Sequence, residues 1–350
     1  MTLVAAETAY PAQTPGARVR ITNFIPHLSG HGIELDYRPS LTEDEYDLIT
    51  SSAPSARKAL VLAAAAARFA RQGRVPTGTL SLVHRLRFML PLPILDPPRK
   101  LDVYDFDDAL FVGSIGHENS SFGWAKREAR RWHSYTSRAR LVIAGNEYLA
   151  ARANMFADRV KVVPSCVDPS IQPVRKHQEL EVARVGWIGS RSTASYLDQV
   201  LPALESINRH ERRVELVVVG AKTSHASPWI TFEPWSLETE AALLASFDIG
   251  IMPLPDDAWT RGKCGYKLLQ YFAAGVPAIA SPVGVNSAII GDERGLLASS
   301  VGDWQTALEG LMADAQIRKE MGANARDFVE RKFSYEYWSP QLAEMLKALS

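Results

Sequence analysis

The chain has 350 residues, and its 39 Lys and Arg side chains are balanced by 39 Asp and Glu side chains. With 46% hydrophobic and 22% charged residues, the composition is that of an ordinary globular protein and excludes a largely disordered chain. Balanced charge gives no general electrostatic attraction to nucleic acid or to an anionic membrane. Because single hydrophobic cores rarely exceed roughly 250–300 residues, the length predicts two domains.

The sequence shows no clear pattern of a transmembrane helix, a secretory signal or a disulfide framework. The longest apolar run, residues 59–67, ends at Arg68 and is too short to span a bilayer. Residues 1–10 lack the basic segment that precedes the apolar part of a secretory signal. Cys166 and Cys264 match neither a metal-site spacing nor a disulfide framework. We therefore expect a cytoplasmic protein with reduced thiols and no transmembrane segment, while peripheral contact with a membrane stays open.

Short apolar runs alternate with helical patterns along the chain, as in stacked strand–helix–strand units. The candidate strands of the first half are residues 3–6, 33–37, 79–83, 101–106, 141–144 and 160–163. Those of the second half are residues 184–188, 214–219, 230–232, 248–254, 277–280 and 295–298. Six strands in each half predict an α/β protein with two doubly wound, Rossmann-like parallel sheets.

Helical spacing of apolar residues predicts helices between the strands, and proline content predicts a linker between the halves. One apolar stripe predicts a single helix over its members, Leu197, Val200, Leu201, Leu204 and Ile207. A second stripe comprises Trp304, Ala307, Leu308 and Leu311. The proline-rich residues 164–173, followed by charged residues through Glu181, predict the linker between the halves.

The most informative segment, residues 260–277, follows a predicted strand and enters a helix. Lys263, Lys267 and Gln270 have the i, i+4, i+7 spacing of one helical face. Lysines in the first turns of a helix are unfavourable beside its positive end, so we expect an anion such as phosphate to compensate them. The alternative is that both ammonium groups extend into solvent.

A second loop also has the features of a phosphate-binding turn. The strand over residues 184–188 is followed by Gly189-Ser-Arg-Ser-Thr193, and a helix is predicted to begin there. Bare backbone N–H groups at such a turn can bind phosphate, and Arg191 adds a planar donor suited to it. The alternative is a simple Ser192 cap with an exposed arginine.

In the first half, Asp107 and Asp108 follow a predicted strand. Adjacent carboxylates are costly to bury unless something uses them, so they could position an acceptor hydroxyl, act as a base or bind a metal. A helix cap with a solvated carboxylate is the alternative, and no His or Cys cluster supports a metal. Arg18 and His84 also follow strands; a solvated helix face and a structural histidine are their alternatives.

Four segments together resemble retaining glycosyltransferases of the GT-B type, family 4 or a close relative: residues 186–193, 232–235, 247–254 and 262–277. The resemblance implies GT-B architecture, with two Rossmann-like domains facing across a cleft. It assigns residues 1–168 to acceptor binding and residues 182–332 to the nucleotide sugar. Residues 333–350 would form a C-terminal helix that returns to the first domain.

By that resemblance, the protein moves a sugar from a nucleoside-diphosphate sugar to a small-molecule or saccharide acceptor, with retention and without a tightly bound cofactor or a metal. The implied diphosphate ligands are Gly189, Ser190, Arg191, Thr193, Lys263 and Lys267; the nucleoside ligands are Glu233, Trp235 and Gln270. The donor sugar would meet Gly262, Cys264, Gly265 and Tyr266, and the acceptor Arg18, His84, Asp107 and Asp108. Catalytic roles fall to Asp107, Lys263 and Lys267.

The sequence departs from the family pattern at several of these positions. Family members often carry two glutamates eight positions apart, where this chain has Gly262 and Gln270. Ser190 stands where a basic residue is usual, and Asp107 stands where many members have a histidine. The missing glutamate leaves a catalytically silent sugar-nucleotide-binding partner as an alternative. A dinucleotide-dependent oxidoreductase is disfavoured, because no G-x-G-x-x-G turn follows the first strand of either half.

Overall fold

The computed structural model describes residues 1–71, 75–91, 101–113 and 127–350. These residues form two units, one of residues 1–165 with 335–350 and the other of residues 166–334. Each unit contains one six-stranded parallel sheet, and all twelve predicted strands are present within two residues or so of their expected bounds. Within the described ranges, no helix has the length and hydrophobicity needed to cross a membrane.

The first unit carries its strands in the order β2-β1-β3-β4-β5-β6. The strands are β1 (Thr2–Thr8), β2 (Ile33–Pro39), β3 (Thr79–His84), β4 (Val103–Phe106), β5 (Leu141–Ala144) and β6 (Val160–Val162). The α-helices described between them are α1 (Pro15–Arg20), α2 (Ile25–Ser29), α3 (Glu43–Thr50), α4 (Ser55–Arg71), α5 (Glu128–Thr136) and α6 (Glu147–Ala153). The strands are almost fully buried at the centre of the sheet, as strands covered by helices on both faces must be.

The second unit has the strand order β12-β11-β10-β7-β8-β9. Its strands are β7 (Ala183–Ile188), β8 (Val214–Val219), β9 (Ile230–Glu233), β10 (Ile249–Met252), β11 (Ala278–Ala280) and β12 (Gly295–Leu297). Its helices are α7 (Leu201–Ile207), α8 (Leu237–Ser246), α9 (Tyr266–Ala273), α10 (Asn286–Ile290), α11 (Val301–Ala313) and α12 (Ala315–Lys332). The last helix of the chain, α13 (Tyr335–Lys347), belongs to the first unit, where the Tyr335 hydroxyl donates to the Val19 carbonyl at 3.2 Å.

The predicted single helix around Leu197–Ile207 is wrong in its continuity. Residues 191–199 form a 3₁₀ helix, and the α-helix α7 starts only at Leu201. Pro202 lacks a backbone N–H and is tolerated only in the first turn of an α-helix, so the chain breaks its helical pattern just before it. The apolar stripe is nevertheless buried as expected, with Leu197, Val200 and Leu204 in the core.

The residues before β7 are held against the second unit. The Arg326 guanidinium of α12 donates to the carbonyl oxygens of Pro169 at 2.6 Å and Gln172 at 3.3 Å, and also to that of Ala273. Arg175 forms an ion pair with the buried Asp248 at 2.5 Å. Much of the proline-rich segment is therefore fixed to the second unit by side-chain hydrogen bonds.

Both sheets reverse their strand order once. In the first sheet the reversal lies between β1 and β3, and in the second between β7 and β10. The loops that leave neighbouring strands at such a point run to opposite faces and open a crevice at the carboxyl edge of the sheet, where ligands of this architecture bind. Each unit therefore has one crevice where a ligand-binding site is expected.

Two glycines shape the crevice of the second sheet. Gly186 on β7 lies opposite Gly250 on β10. A Cβ on Gly186 would lie 2.0 Å from Cδ2 of Phe247, and one on Gly250 would lie 2.3 Å from Cδ2 of Tyr271. The two aromatic rings pack edge to face on this flat patch, with their centroids 6.3 Å apart. Only glycine permits such an approach of ring to backbone.

Tyr271, on α9, also ties together the two strands as they separate. The register between β7 and β10 covers two residue pairs, which end at the glycines. Beyond them the Tyr271 hydroxyl accepts from the Ile188 backbone N–H and donates to the Ile251 carbonyl, each at 3.2 Å. Burial raises the pKa of this phenol well above its usual range, so the hydroxyl keeps its proton and serves as both donor and acceptor.

We predict that Gly186→Ala lowers the free energy of unfolding by about 1–3 kcal/mol or more, because the new methyl group overlaps the Phe247 ring. Urea unfolding measures the change. Gly310→Ala is the matched control, since Gly310 lies inside α11 with nothing within 4 Å of a new Cβ. That control should stabilise the protein by about 0.4–1 kcal/mol. Equal unfolding midpoints for wild type and Gly186→Ala would contradict the packing argument.

Candidate functional site

In the second unit, the loop after β7 meets the start of α9. A Cβ placed on Gly189 would lie 3.0 Å from Cε of Lys267 and 2.5 Å from Cη2 of the Trp187 ring. Gly189 therefore allows the backbone of this loop, the Trp187 ring and the Lys267 side chain to come together. The structure brings together two of the predicted diphosphate ligands, Gly189 and Lys267, at the point where the strand order reverses.

Both predicted lysines lie over tryptophan rings. The Lys267 ammonium nitrogen is 5.3 Å from the centroid of the Trp187 ring, and that of Lys263 is 4.7 Å from the centroid of the Trp259 ring. Cation–π contact with a partly buried ring stabilises an ammonium group by about 0.5–2 kcal/mol. Both lysine residues are half-buried.

The prediction that Lys263, Lys267 and Gln270 share one helical face is wrong for Lys263. The helix α9 begins at Tyr266, and Lys263 follows a separate 3₁₀ turn over Thr260–Gly262. Gly265 lies between them with a φ of +69°, a left-handed conformation that redirects the chain. A Cβ there would also meet Cδ1 of Ile289 at 2.3 Å.

Trp235 approaches the same loop from β9. A Cβ on Gly220, which has a φ of +81°, would lie 2.7 Å from the Gly189 carbonyl oxygen and 3.3 Å from the Trp235 Cβ. The Gly220 N–H donates to the Glu233 carbonyl at 3.0 Å, which places the half-buried Glu233 beside it. The Trp235 indole N–H donates to the Glu240 carboxylate at 2.6 Å, so the indole is fixed. Gly220 was not predicted, although a glycine directly after a strand that is apolar at every position except Glu215 was the available signal.

The hydroxyl residues after Gly189 do not form the simple cap that was the alternative. No side chain caps the 3₁₀ helix over residues 191–199; the Ser190 and Ser192 hydroxyls bond to each other at 2.9 Å. The Thr193 hydroxyl donates to the Ser190 carbonyl at 3.2 Å. Ser190 and Arg191 are exposed, so their polar groups are accessible to a ligand.

The predicted donor-sugar residues lie close together in sequence but differ in exposure. Gly262, Cys264 and Gly265 are buried, and the Cys264 thiol lies 3.9 Å from the Gly262 carbonyl. Tyr266 is half-buried and packs on the core of the second unit. Gln270, on α9, is 5% exposed.

The crevice of the first sheet contains a buried chain of ionisable groups. The Asp105 carboxylate binds the Arg20 guanidinium through two hydrogen bonds and lies 2.7 Å from Nδ1 of His84. Burial opposes ionisation of Asp105, but Arg20 and His84 outweigh it and hold the pKa of this carboxyl below its usual range. Asp105 therefore fixes the His84 ring, which is completely buried.

Asp107 and Asp108 are compensated within the chain. The Arg85 guanidinium donates from Nε to the Asp107 carboxylate at 2.5 Å and contacts Asp108 through Nη2 at 2.6 Å. From the sequence we expected a ligand or solvent to take this role. Burial opposes ionisation of Asp107, yet Arg85 and His84 together hold the pKa of that carboxyl well below its usual range. Asp107 is thus an ionised hydrogen-bond acceptor.

His84 and Arg18 are the other two residues predicted to bind the acceptor. His84 Nε2 makes no hydrogen bond with the described residues, although Asp107 Oδ1 is 3.9 Å away. A Cβ on Gly16, in α1, would lie 3.2 Å from that nitrogen. Arg18 is buried and donates to the Gln13 carbonyl at 3.3 Å. Among the residues that the structure describes, no group of His, Cys, Asp and Glu side chains suits a metal ion.

We predict that Asp105→Asn destabilises the first unit by about 3–5 kcal/mol at pH 7, because it leaves the Arg20 guanidinium buried without its carboxylate. The pKa of Asp105 is lowered in the folded state, so its contribution is present above the unfolded value near 3.9 and is lost as the pH falls through the folded value. Denaturant unfolding between pH 7 and pH 3 measures both effects. Stability of the variant should therefore depend less on pH below about 4; an undiminished acid dependence would contradict this assignment.

Comparison with known proteins confirms the resemblance to GT-B glycosyltransferases. Residues 181–314 match the family model described as glycosyl transferases group 1. The sequence matches none of the curated proteins with which it was compared. The fold is similar to that of a sucrose-phosphate synthase from Thermosynechococcus elongatus, with a TM-score of 0.71, 13% identity, and coverage of 100% of this chain and 99% of the other.

Two other solved structures show the same likeness. WaaG, a glycosyltransferase involved in lipopolysaccharide biosynthesis, has a TM-score of 0.63 and 15% identity, with 99% of each chain covered. Anabaena HepE in complex with UDP-glucose has a TM-score of 0.64 and 14% identity, with 99% of this chain and 100% of the other covered. The chain therefore has the fold of the GT-B glycosyltransferases, and its second unit carries a glycosyl transferases group 1 domain.

Proposed function

We propose that this protein transfers a sugar from a nucleoside-diphosphate sugar to an acceptor hydroxyl, with retention of the anomeric configuration. The observation that carries the proposal is a set of close approaches in the crevice of the second sheet: Lys267 lies beside Gly189, and the Gly189 carbonyl and Trp235 both lie beside Gly220. This places the turn that leads to the exposed Ser190 and Arg191, a lysine side chain and a tryptophan side chain within one small region. A nucleoside diphosphate requires those three kinds of contact.

A uridine diphosphate sugar is the donor that we propose first. HepE, which shares the fold, has been solved with UDP and with UDP-glucose. In this chain the Trp235 ring and Glu233 would meet the base, and Gln270 would meet the ribose. Gly262 cannot supply the carboxylate that many family members have near the donor sugar, so backbone groups of residues 262–265 would take part of that role.

Departure of the nucleoside diphosphate is the step that this site would accelerate. Negative charge grows on the diphosphate as its bond to the anomeric carbon breaks, and donors already fixed beside it stabilise that charge. Lys263, Lys267 and Arg191 would provide charge-assisted hydrogen bonds, each contributing about 1.5–3 kcal/mol. With retention, the leaving phosphate takes the acceptor proton on the face that it vacates, so no strong base is needed.

In the first unit, Asp107 would hold the acceptor hydroxyl. Because the carboxylate stays ionised, it accepts a hydrogen bond from the hydroxyl and keeps the oxygen oriented for attack. No metal is needed in this scheme, since lysine and arginine supply the positive charge at the diphosphate.

We predict that UDP raises the unfolding temperature of the protein, with and without Mg²⁺. At about 100 times the dissociation constant, binding contributes roughly 2.7 kcal/mol, or roughly 5–10 °C for a unit of this size. Lys267→Ala should abolish most of the shift, and Lys319→Ala, an exposed lysine of α12, should keep it. GDP, dTDP, ADP and CMP complete the panel. Absence of a shift with every nucleotide would overturn the donor site, and a shift only with Mg²⁺ would overturn the metal-free scheme.

We further predict that the wild-type protein releases UDP from a UDP-sugar in the presence of a panel of hydroxyl acceptors. Asp107→Asn should reduce this turnover 10- to 100-fold, on the order expected for a misplaced reactant, while the UDP thermal shift stays unchanged. A coupled assay for UDP measures the rate. A UDP shift without turnover on any acceptor would instead favour the silent sugar-nucleotide-binding partner.

A further inference from the structure

One arginine in the first crevice holds two carboxylates at once. The Arg85 fork reaches Asp107 Oδ1 through Nε at 2.5 Å and Asp108 Oδ2 through Nη2 at 2.6 Å, while the Arg85 side chain is only 22% exposed. A planar guanidinium fixes both the distance and the direction of its partners, which an ammonium group does not. The orientation of the Asp107 carboxylate therefore depends on Arg85.

The backbone of Arg85 is held in an unusual conformation for this contact. Its φ is +54°, in the left-handed region that a non-glycine residue rarely adopts. The Arg85 N–H donates to the Asp105 carbonyl at 2.8 Å, and the Tyr104 hydroxyl donates to the Arg85 carbonyl at 3.1 Å. Strained backbone of this kind persists where surrounding contacts fix it, and it is concentrated at functional sites.

The same loop offers an ordinary ion pair for comparison. Two residues on, Arg87 binds the two carboxylate oxygens of Glu7 at 2.7 and 2.8 Å, and both side chains are buried. Glu7 lies within β1, away from the loop that carries Asp107. Arg87 is thus paired with a carboxylate of β1, whereas Arg85 holds the predicted acceptor-binding carboxylates Asp107 and Asp108.

We propose that Arg85 is a positioning residue for glycosyl transfer, which fixes the Asp107 carboxylate in the ionised, oriented form that holds the acceptor hydroxyl. This inference rests on the function proposed above. The Arg85 side chain would not itself touch the reacting atoms. Nothing in the sequence motifs assigns it this role.

Several charged and titratable groups surround the Arg85–Asp107 pair. They are Tyr10 after β1, Arg20 on α1, His84 on β3, Asp105 on β4, and Asp108 beside Asp107, with Glu128 and Arg131 of α5 facing Tyr10. Arg20 and His84 remain when Arg85 is replaced, so Asp107 keeps part of its positive surroundings. Removing the Arg85 guanidinium nevertheless makes Asp107 easier to protonate, and the acid limb of activity must move to higher pH.

The test compares Arg85→Gln, Arg85→Lys and the control Arg87→Gln by the pH profile of kcat/KM for UDP-sugar turnover. Arg85→Gln should lower kcat/KM by 10- to 100-fold at pH 7 and shift its acid limb upward. Arg85→Lys should return the acid limb towards the wild-type position because the positive charge is restored. Its kcat/KM should still be reduced, because the planar guanidinium that binds both carboxylates is lost. Arg87→Gln should lower the unfolding temperature and leave the acid limb in place.

A measurement without turnover separates this inference from the proposed function. The carboxyl carbons of protein labelled with ¹³C at aspartate Cγ are titrated by NMR, and the Asp107 signal is identified by its loss in Asp107→Asn. Its titration midpoint should rise in Arg85→Gln and stay unchanged in Arg87→Gln. An unmoved midpoint, or an unmoved acid limb in an active enzyme, overturns the role of Arg85. A wild-type protein without turnover, with the midpoint shifted as expected, overturns the proposed function alone and leaves Arg85 as the group that orients Asp107.

Discussion

The crevice of the second unit depends on the point at which strands β7 and β10 separate. Their ladder ends at Gly186 and Gly250, and the Tyr271 hydroxyl then joins the Ile188 N–H to the Ile251 carbonyl. Without that bridge, two buried backbone groups would lack partners at the point where the sheet opens, at a cost of about 1–3 kcal/mol each. The same tyrosine fixes α9 against the sheet, one turn after Lys267. The open crevice and the position of its lysine therefore have one structural cause.

In the first unit, the main constraint is that buried carboxylates must stay ionised. Asp105 is paired with Arg20, and Asp107 and Asp108 share Arg85, so each of these three carboxylates lies beside a guanidinium. Buried ion pairs of this kind contribute little net stability, because desolvation offsets most of the attraction. Their value lies in the fixed geometry and protonation state that they impose. This is the property that an acceptor-binding carboxylate needs.

The sequence predicted the sheets better than the loops, for a physical reason. A buried parallel strand must be largely apolar on both faces, as Val214–Val219 is at every position except Glu215, so its position can be found from composition alone. The continuous helix to Ile207 was wrong because Pro202 restarts it, and the face shared by Lys263 was wrong because Gly265 turns the chain. The pairing of Arg85 with Asp107 could not be predicted, since it depends on the register that sets His84 beside Asp105.

The fixed indole of Trp235 has a consequence for how a nucleobase would be distinguished. Its N–H already donates to Glu240, so under the proposed function a base would meet the face of the ring and not this donor. Stacking on an aromatic face tolerates every base, because each has a π surface. Discrimination between uracil and guanine would then fall to the edge contacts made by Glu233 and by the backbone around Gly220. A change at Glu233 would broaden the choice of donor while leaving the strength of stacking intact.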